Sequence, residues 1–315
     1  RTLQAPYEAV LRLPDIGPGG QVALATVGGL AHRMVDLFWP LVAEAAGFAH
    51  PDQPPVFLTL ETAQYYMARL VRPLLDEGFF ASVTIDRNRL YSQVLDNLNK
   101  AASVGFPNTE IGERLSAAWL GDPGQRRIYA DAQESANRFR QYCLEHNLLD
   151  FSLQLEIFWK VLWPTPECHS YLTRQYRHLI YDNVEEDAPR AHDLIAAWLP
   201  DFDSALLIYD NDAGYRYFLG GDAVTGYALR DLCDEQIELN ESFVSSQNIV
   251  NLSNALVSAI THRELETTEN PSAVLDFILA HYYPEMLDEV IARIRLLIEE
   301  GFPPAEIVIL APFLS

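Results

Sequence analysis

From about Thr59 to Leu149 the apolar residues recur almost without interruption at the three-and-four spacing of helices. After residue 150 that period gives way to helices alternating with short apolar runs. The first region predicts helices over 64–75, 86–102, 110–120 and 125–146, with one short strand-like piece at 81–85. Upstream, 21–27 reads as a short buried strand closed by Gly28-Gly29, followed by a helix over 30–46 that Pro40 kinks. Pro51, Pro54 and Pro55 then mark a loop.

The second region predicts helices over 152–162, 188–199, 246–260 and 286–300. Strands are expected at 178–181 and 205–209, a strand-like piece at 236–239, and a last strand at 307–310. Strands alternating with helices at this spacing imply parallel βαβ units. The expectation is therefore an α/β architecture with a helical insertion near the N-terminus.

At 315 residues the chain is long enough for two cores. Its net charge is −22, and its 22 basic side chains are all Arg except Lys100 and Lys160. A protein that grips phosphate backbones gains affinity by releasing counterions with Lys and Arg. So few cations against 44 carboxylates argue against a broad nucleic-acid face, while leaving room for a local Arg groove. Cys143, Cys168 and Cys233 are far apart and odd in number, which points to a reducing, cytoplasmic setting without structural disulfides. Cys168-His169 would be half of a metal site, but no second pair stands at ligand spacing. No apolar run is long enough to span a bilayer, so no membrane partner is expected. Both ends, Arg1 and Ser315, read as possible cuts in a longer chain.

In parallel α/β sheets, ligands sit at the carboxyl ends of the strands. Two expected strands end in acidic turns, Asp182-Asn183-Val184-Glu185-Glu186-Asp187 and Asp210-Asn211-Asp212-Ala213-Gly214. An Asp just after a buried strand is where P-loop NTPases hold magnesium. Taken alone the signal is weak, since acidic residues also suit loops and helix N-termini.

The two turns and their surroundings resemble superfamily 1 DNA helicases of the UvrD/Rep/PcrA type. Ile180-Tyr181-Asp182-Asn183-Val184-Glu185-Glu186 stands in the frame of that family's Val-Asp-Glu-x-Gln-Asp. Tyr209 to Gly221 resembles Gly-Asp-x-x-Gln-x-Ile-Tyr-x-Phe-Arg-Gly-Ala. Leu239-Asn240-Glu241-Ser242-Phe243-Val244-Ser245, then Ile249 and Asn254, resembles Leu-x-x-Asn-Tyr-Arg-Ser with its later Ile and Asn. Thr26-Val27-Gly28-Gly29-Leu30 looks like the family's Thr-Phe-His-Ser-Leu, Leu149-Asp150-Phe151 like its Leu-Asp-Phe, and 307–310 like its Ile-x-Val-Leu.

The resemblance implies RecA-like, P-loop NTPase-type parallel sheets with a large helical insertion. It divides the chain into a first motor domain over 1–44 and 148–230, a helical insertion over 45–147, and the start of a second motor domain over 231–315. It makes Asp182 and Asp210 metal-binding positions, with ATP and Mg2+ as cofactors if the site is competent. Thr26, Tyr215, Arg216 and Tyr217 take the nucleic-acid positions.

The departures from the family pattern concern catalysis. Its water-polarising Glu is Asn183 here, whose amide cannot accept a proton at neutral pH. Its phosphate-sensing Gln is Ala213, and its charge-stabilising Arg is Val244. Glu185 and Glu186 would have to reorient to substitute for the base. No Gly-x-x-x-x-Gly-Lys-Ser/Thr is present, since neither Lys follows a Gly-rich loop and Gly17-Pro18-Gly19-Gly20 has no Lys after it. In this family that loop would lie upstream of Arg1.

Three readings follow. The first is a helicase-like protein without ATP hydrolysis, binding single-stranded DNA weakly or assembling with a nuclease or repair factor. The second is a fragment of an active ATP-dependent helicase with a divergent site. The third is an unrelated α/β enzyme using Asp182, Asp210 and Asp212 as a metal cluster. Phe218 is expected in the core, because the family's equivalent ring precedes a closely packed Gly, whereas Tyr215 and Tyr217 suit either a core or a base-stacking role.

Overall fold

A computed structural model describes residues 22–211, 213–239, 245–262 and 276–310. The chain divides into two compact units, Arg1–Asp234 and Glu235–Ser315.

In the first unit Thr26 caps α1 (Val27–Leu37) by accepting the Gly29 N–H at 3.0 Å. The chain breaks at Phe38 and restarts as α2 (Trp39–Val42), with Pro40 in its first turn, where a missing N–H costs nothing. Strand β1 (Val56–Phe57) leads into α3 (Leu60–Asp76), capped by Thr59. Helix α4 (Arg87–Val104) follows, capped by Asp86 and closed by Gly105 at φ 101°, a conformation that needs glycine. Then come α5 (Ile111–Ala118), α6 (Gln125–Glu145) and β2 (Leu148–Leu149). Helix α7 (Phe151–Ile157) runs on into a π-helical turn, Phe158–Leu162, and α8 (Pro166–Gln175) precedes β3 (His178–Tyr181). Helix α9 (Pro189–Trp198), β4 (Ser204–Leu207) and α10 (Ala223–Ala228) complete the unit.

The larger of the two cores lies mainly between helices. One continuous core runs from Leu30 to Trp198, and Met34, Met67, Leu98, Phe139, Phe158, Leu162 and Leu172 are almost fully buried in it. The helices of 60–145 and the elements flanking them share this core.

The RecA-like parallel sheets expected from the resemblance are not present among the described residues. The sheets there are two parallel pairs, β1 with β2 and β3 with β4. A short apolar run becomes a strand only where a partner completes its ladder, and three runs lack one. Residues 22–26 form no strand and pass directly into α1, and 236–239 and 307–310 form none either. Ile237, Leu239, Val308 and Leu310 are each more than three-quarters exposed or close to it. The strand-like piece at 81–85 is a turn.

The β3–β4 pair packs one face only. Leu179, Tyr181, Leu207 and Tyr209 lie against a small second core of Val184, Ile195 and Leu229, while Ile180, Leu206 and Ile208 on the other face are exposed.

The second unit contains α11 (Gln247–Thr261) and α12 (Tyr283–Glu299), with a 3-10 turn at Pro304–Glu306. No residue of α12 is buried. Among the described residues no helix is long and apolar enough to cross a membrane.

Cys143 and Cys168 are buried and Cys233 is half-buried. Burial pushes the Cys168 thiol up to about 11 and the Cys143 thiol further still. The Cys233 thiol lies 3.6 Å from the Leu229 carbonyl oxygen.

One buried ion pair ties α6 to the start of α7. Arg140 donates to Asp150 at 3.1 Å and to Ser152 Oγ at 2.9 Å, with Glu156 at 3.6 Å. Asp150 in turn accepts the N–H groups of Ser152 and Leu153, capping α7. The side chains of Arg140 and Asp150 are 9% and 3% exposed, so neither charge can turn to solvent. Arg140→Ala leaves that carboxylate buried without its cation and should destabilise the chain by about 3–5 kcal/mol. Urea unfolding followed by far-UV circular dichroism checks this, with the exposed pair variant Arg138→Ala expected to cost less than about 1 kcal/mol.

Candidate functional site

Strands β3 and β4 deliver two turns side by side. Their ladder extends past both strand ends: the Ile208 N–H donates to the Tyr181 carbonyl at 2.8 Å, and the Val184 N–H to the Ile208 carbonyl at 3.2 Å. Asp182 is exposed, and its Oδ1 accepts the N–H of Asn183 at 3.0 Å. Asn183 adopts φ 56°, ψ 46°, a left-handed conformation that Asn tolerates better than most side chains. The chain then tightens into a 3-10 turn, Val184–Glu186.

The two carboxylates of that turn point at the other turn. Glu185, 4% exposed, accepts the Asp210 N–H at 3.1 Å. Glu186 Oε1 accepts the N–H groups of Gly214 at 3.2 Å and Tyr215 at 2.9 Å. Its Oε2 accepts the Arg216 N–H at 3.0 Å and lies 3.6 Å from that residue's guanidinium. The Tyr215 N–H does most to hold the Glu186 carboxyl below the usual carboxylate range; burial opposes it, and Gly214 and Arg216 reinforce it.

Three further contacts lock the turns together. The Asp222 N–H donates to the Asp187 carbonyl at 2.8 Å. His192, 2% exposed, joins Thr225 Oγ1 and the Val184 carbonyl, each at 2.8 Å. Gly221 and Gly226 allow the close approach: a Cβ there would stand 2.8 Å from the Glu186 carbonyl oxygen and 2.9 Å from that of Val184.

The structure thus gathers Asp182, Asn183, Asp210, Ala213, Tyr215, Arg216 and Tyr217 around one clamp. Ala213 donates its N–H to the Asp210 carbonyl at 3.4 Å and offers only a methyl group. Val244 and Asp212 lie outside the described residues. The hydroxyl of Thr26 caps α1 and shares no hydrogen bond with this cluster. Phe218, expected in the core, is 68% exposed, and Tyr215 and Tyr217 are 77% and 82% exposed. The 3-10 turn Tyr215–Leu219 between Gly214 and Gly220 has no buried residue, so its rings stand outside both cores. The sequence singled out Asp182 and Asp210 but not the clamping roles of Glu185, Glu186 and His192. An acidic pair just after a strand was the only local signal for them.

Asn183 is no base, and Glu185 and Glu186 are committed to backbone N–H groups. Among the described residues no group of three His, Cys, Asp or Glu side chains stands close enough together to hold a metal ion.

No protein-family model matches the chain, and no curated protein matches it either.

The clamp should be acid-labile. Because the folded-state value of Glu186 is depressed, its stabilisation is complete above the ordinary carboxylate value, about 4.3, and is lost as pH falls through the lower folded value. Hydrogen exchange at the amides of Gly214, Tyr215 and Arg216 should show protection falling over that window. Glu186→Gln, which sets an amide NH2 against the Arg216 N–H, should show low protection at every pH.

Proposed function

We propose that the chain is a binding module of DNA metabolism, related in its motifs to UvrD/Rep-type helicases, that does not hydrolyse ATP. It holds single-stranded DNA weakly, beside a nuclease or another repair factor, and is not a motor itself. The observation that carries this reading is the use of Glu185 and Glu186. The carboxylates nearest to the missing base instead fix a turn that displays three aromatic rings.

Bases stack on exposed aromatic rings without regard to sequence, because every base has a π-face. Tyr215, Tyr217 and Phe218 supply such rings, and Arg216, with its side chain 64% exposed, supplies a cation for a neighbouring phosphate. Glu186 stands beside that guanidinium and neutralises part of its charge, which keeps the grip weak. The left-handed backbone at Asn183 also disfavours a simple return to Glu, which would be strained there by roughly 1 kcal/mol.

Purified chain should release phosphate from ATP no faster than buffer, with or without an oligonucleotide, and Asp182→Ala should change nothing. A turnover that Asp182→Ala abolishes would overturn the proposal. Tyr217→Ala should weaken binding of a fluorescein-labelled oligothymidylate by about 1–3 kcal/mol in anisotropy titrations at low salt. Its melting temperature should stay near that of the unaltered chain, since the ring is exposed.

A further inference from the structure

Helix α3 buries one face and leaves the other without a partner among the described residues. Ala63, Met67, Val71 and Leu74 are buried. Tyr65, Arg69, Arg72, Pro73 and Asp76 form the outward stripe and line a recess of about 310 Å³ together with Ala68. Tyr65 is 64% exposed.

Among the described residues some surface cations are neutralised, and others, Arg69 and Arg72 with Arg87, Arg89, Arg126 and Arg127, are not. Arg114, Arg138, Arg177, Arg190, Arg216, Arg230 and Arg293 each stand within ion-pair distance of a carboxylate. No carboxylate among the described residues stands within that distance of Arg69 or Arg72, although acidic side chains outnumber basic ones two to one. Two adjacent guanidinium groups one helical turn apart, unneutralised in so acidic a chain, mark a local anion-binding surface.

The rings beside them give the anion a chemical class. Tyr65 meets Tyr66 edge-on at 5.4 Å, Tyr66 lies 5.7 Å from Tyr142, and Tyr142 stacks on His146 at 3.9 Å. Tyr66 and Tyr142 are half-buried against the core, so exposed Tyr65 is the ring of this group that a base beside the arginines can reach. An acidic peptide would use the cations and leave the rings idle, whereas a nucleic-acid single strand uses both, phosphates on Arg and bases on rings.

We infer that the outward face of α3 is a second contact for a nucleic-acid single strand, with Arg69 and Arg72 on phosphates and Tyr65 under a base. The inference rests on the same ligand class as the proposed function but on separate residues. Its test uses the full chain and fluorescein-labelled oligothymidylate, titrated over a range of salt concentrations. For Arg69→Gln/Arg72→Gln, the slope of log affinity against log salt should become shallower by about 1.4, since each phosphate contact on a single strand contributes about 0.7. Tyr65→Ala should weaken binding roughly tenfold at low salt. All three side chains are exposed, so the thermal melts should not move. Unchanged affinity and slope in both variants, with Tyr217→Ala still defective, would overturn this inference and leave the proposed function standing. A defect in the α3 variants with none in Tyr217→Ala would do the reverse. Displacement of the oligonucleotide by polyglutamate at equal charge concentration would identify an acidic protein as the occupant and overturn the assignment.

Discussion

Two neighbouring carboxylates, Glu185 and Glu186, hold the backbone of a segment 25 to 30 residues further along the chain. A carboxylate is an acceptor with two oxygens, and here the pair satisfies four N–H groups that no strand or α-helix would otherwise engage. A five-residue 3-10 turn has poor hydrogen-bond geometry of its own, and Tyr215–Leu219 buries nothing that would anchor it. The clamp therefore substitutes for a core at this point. The same four N–H groups fix the orientation of both carboxylates.

The longer helices were legible in the sequence to within a few residues, because their period is local, whereas α8 (Pro166–Gln175) and α10 (Ala223–Ala228) were not expected. Helix α4 was expected over 86–102 and spans Arg87–Val104, and α6 was expected over 125–146 and spans Gln125–Glu145. The strands were not legible in this way, because a strand exists only by pairing with something distant. The runs at 178–181 and 205–209 found each other, whereas those at 22–26, 236–239 and 307–310 found no ladder. Short apolar runs look alike whether or not a neighbour completes them, so the sequence overstated the sheet. The site follows the same logic. Asn183 and Ala213 could be read as losses from the residue types alone. The use of Glu186 could not, since its partners at 214–216 become neighbours only when the two turns are brought together. Phe218 was misjudged for a related reason: a Gly after a ring implied close packing, but Gly220 and Gly221 serve the return of the backbone, at φ 98° and against the Glu186 carbonyl.

A net charge of −22 describes the chain as a whole and no part of its surface. Several exposed arginines, Arg114 and Arg138 among them, are paired to a carboxylate one helical turn away, which weakens the field they present to a ligand. The buried Arg140 is committed to Asp150 and the cap of α7, and thus to the core. What remains positive is local and small. Attraction for a polyanion must then act over short distances, within a Debye length of about 8 Å at physiological ionic strength, and long-range steering of a partner would be repulsive.

The unequal surroundings of the three cysteines make the chain its own reporter. Thiol reagents attack the thiolate, so the buried and proton-retaining Cys143 and Cys168 are shielded twice over while the core is closed. Cys233 is the accessible one, and it lies one residue before the division between the two compact units at Asp234. A single maleimide dye would therefore mark the junction of the units without any engineering. The appearance of a second and third label would time the opening of the helical core.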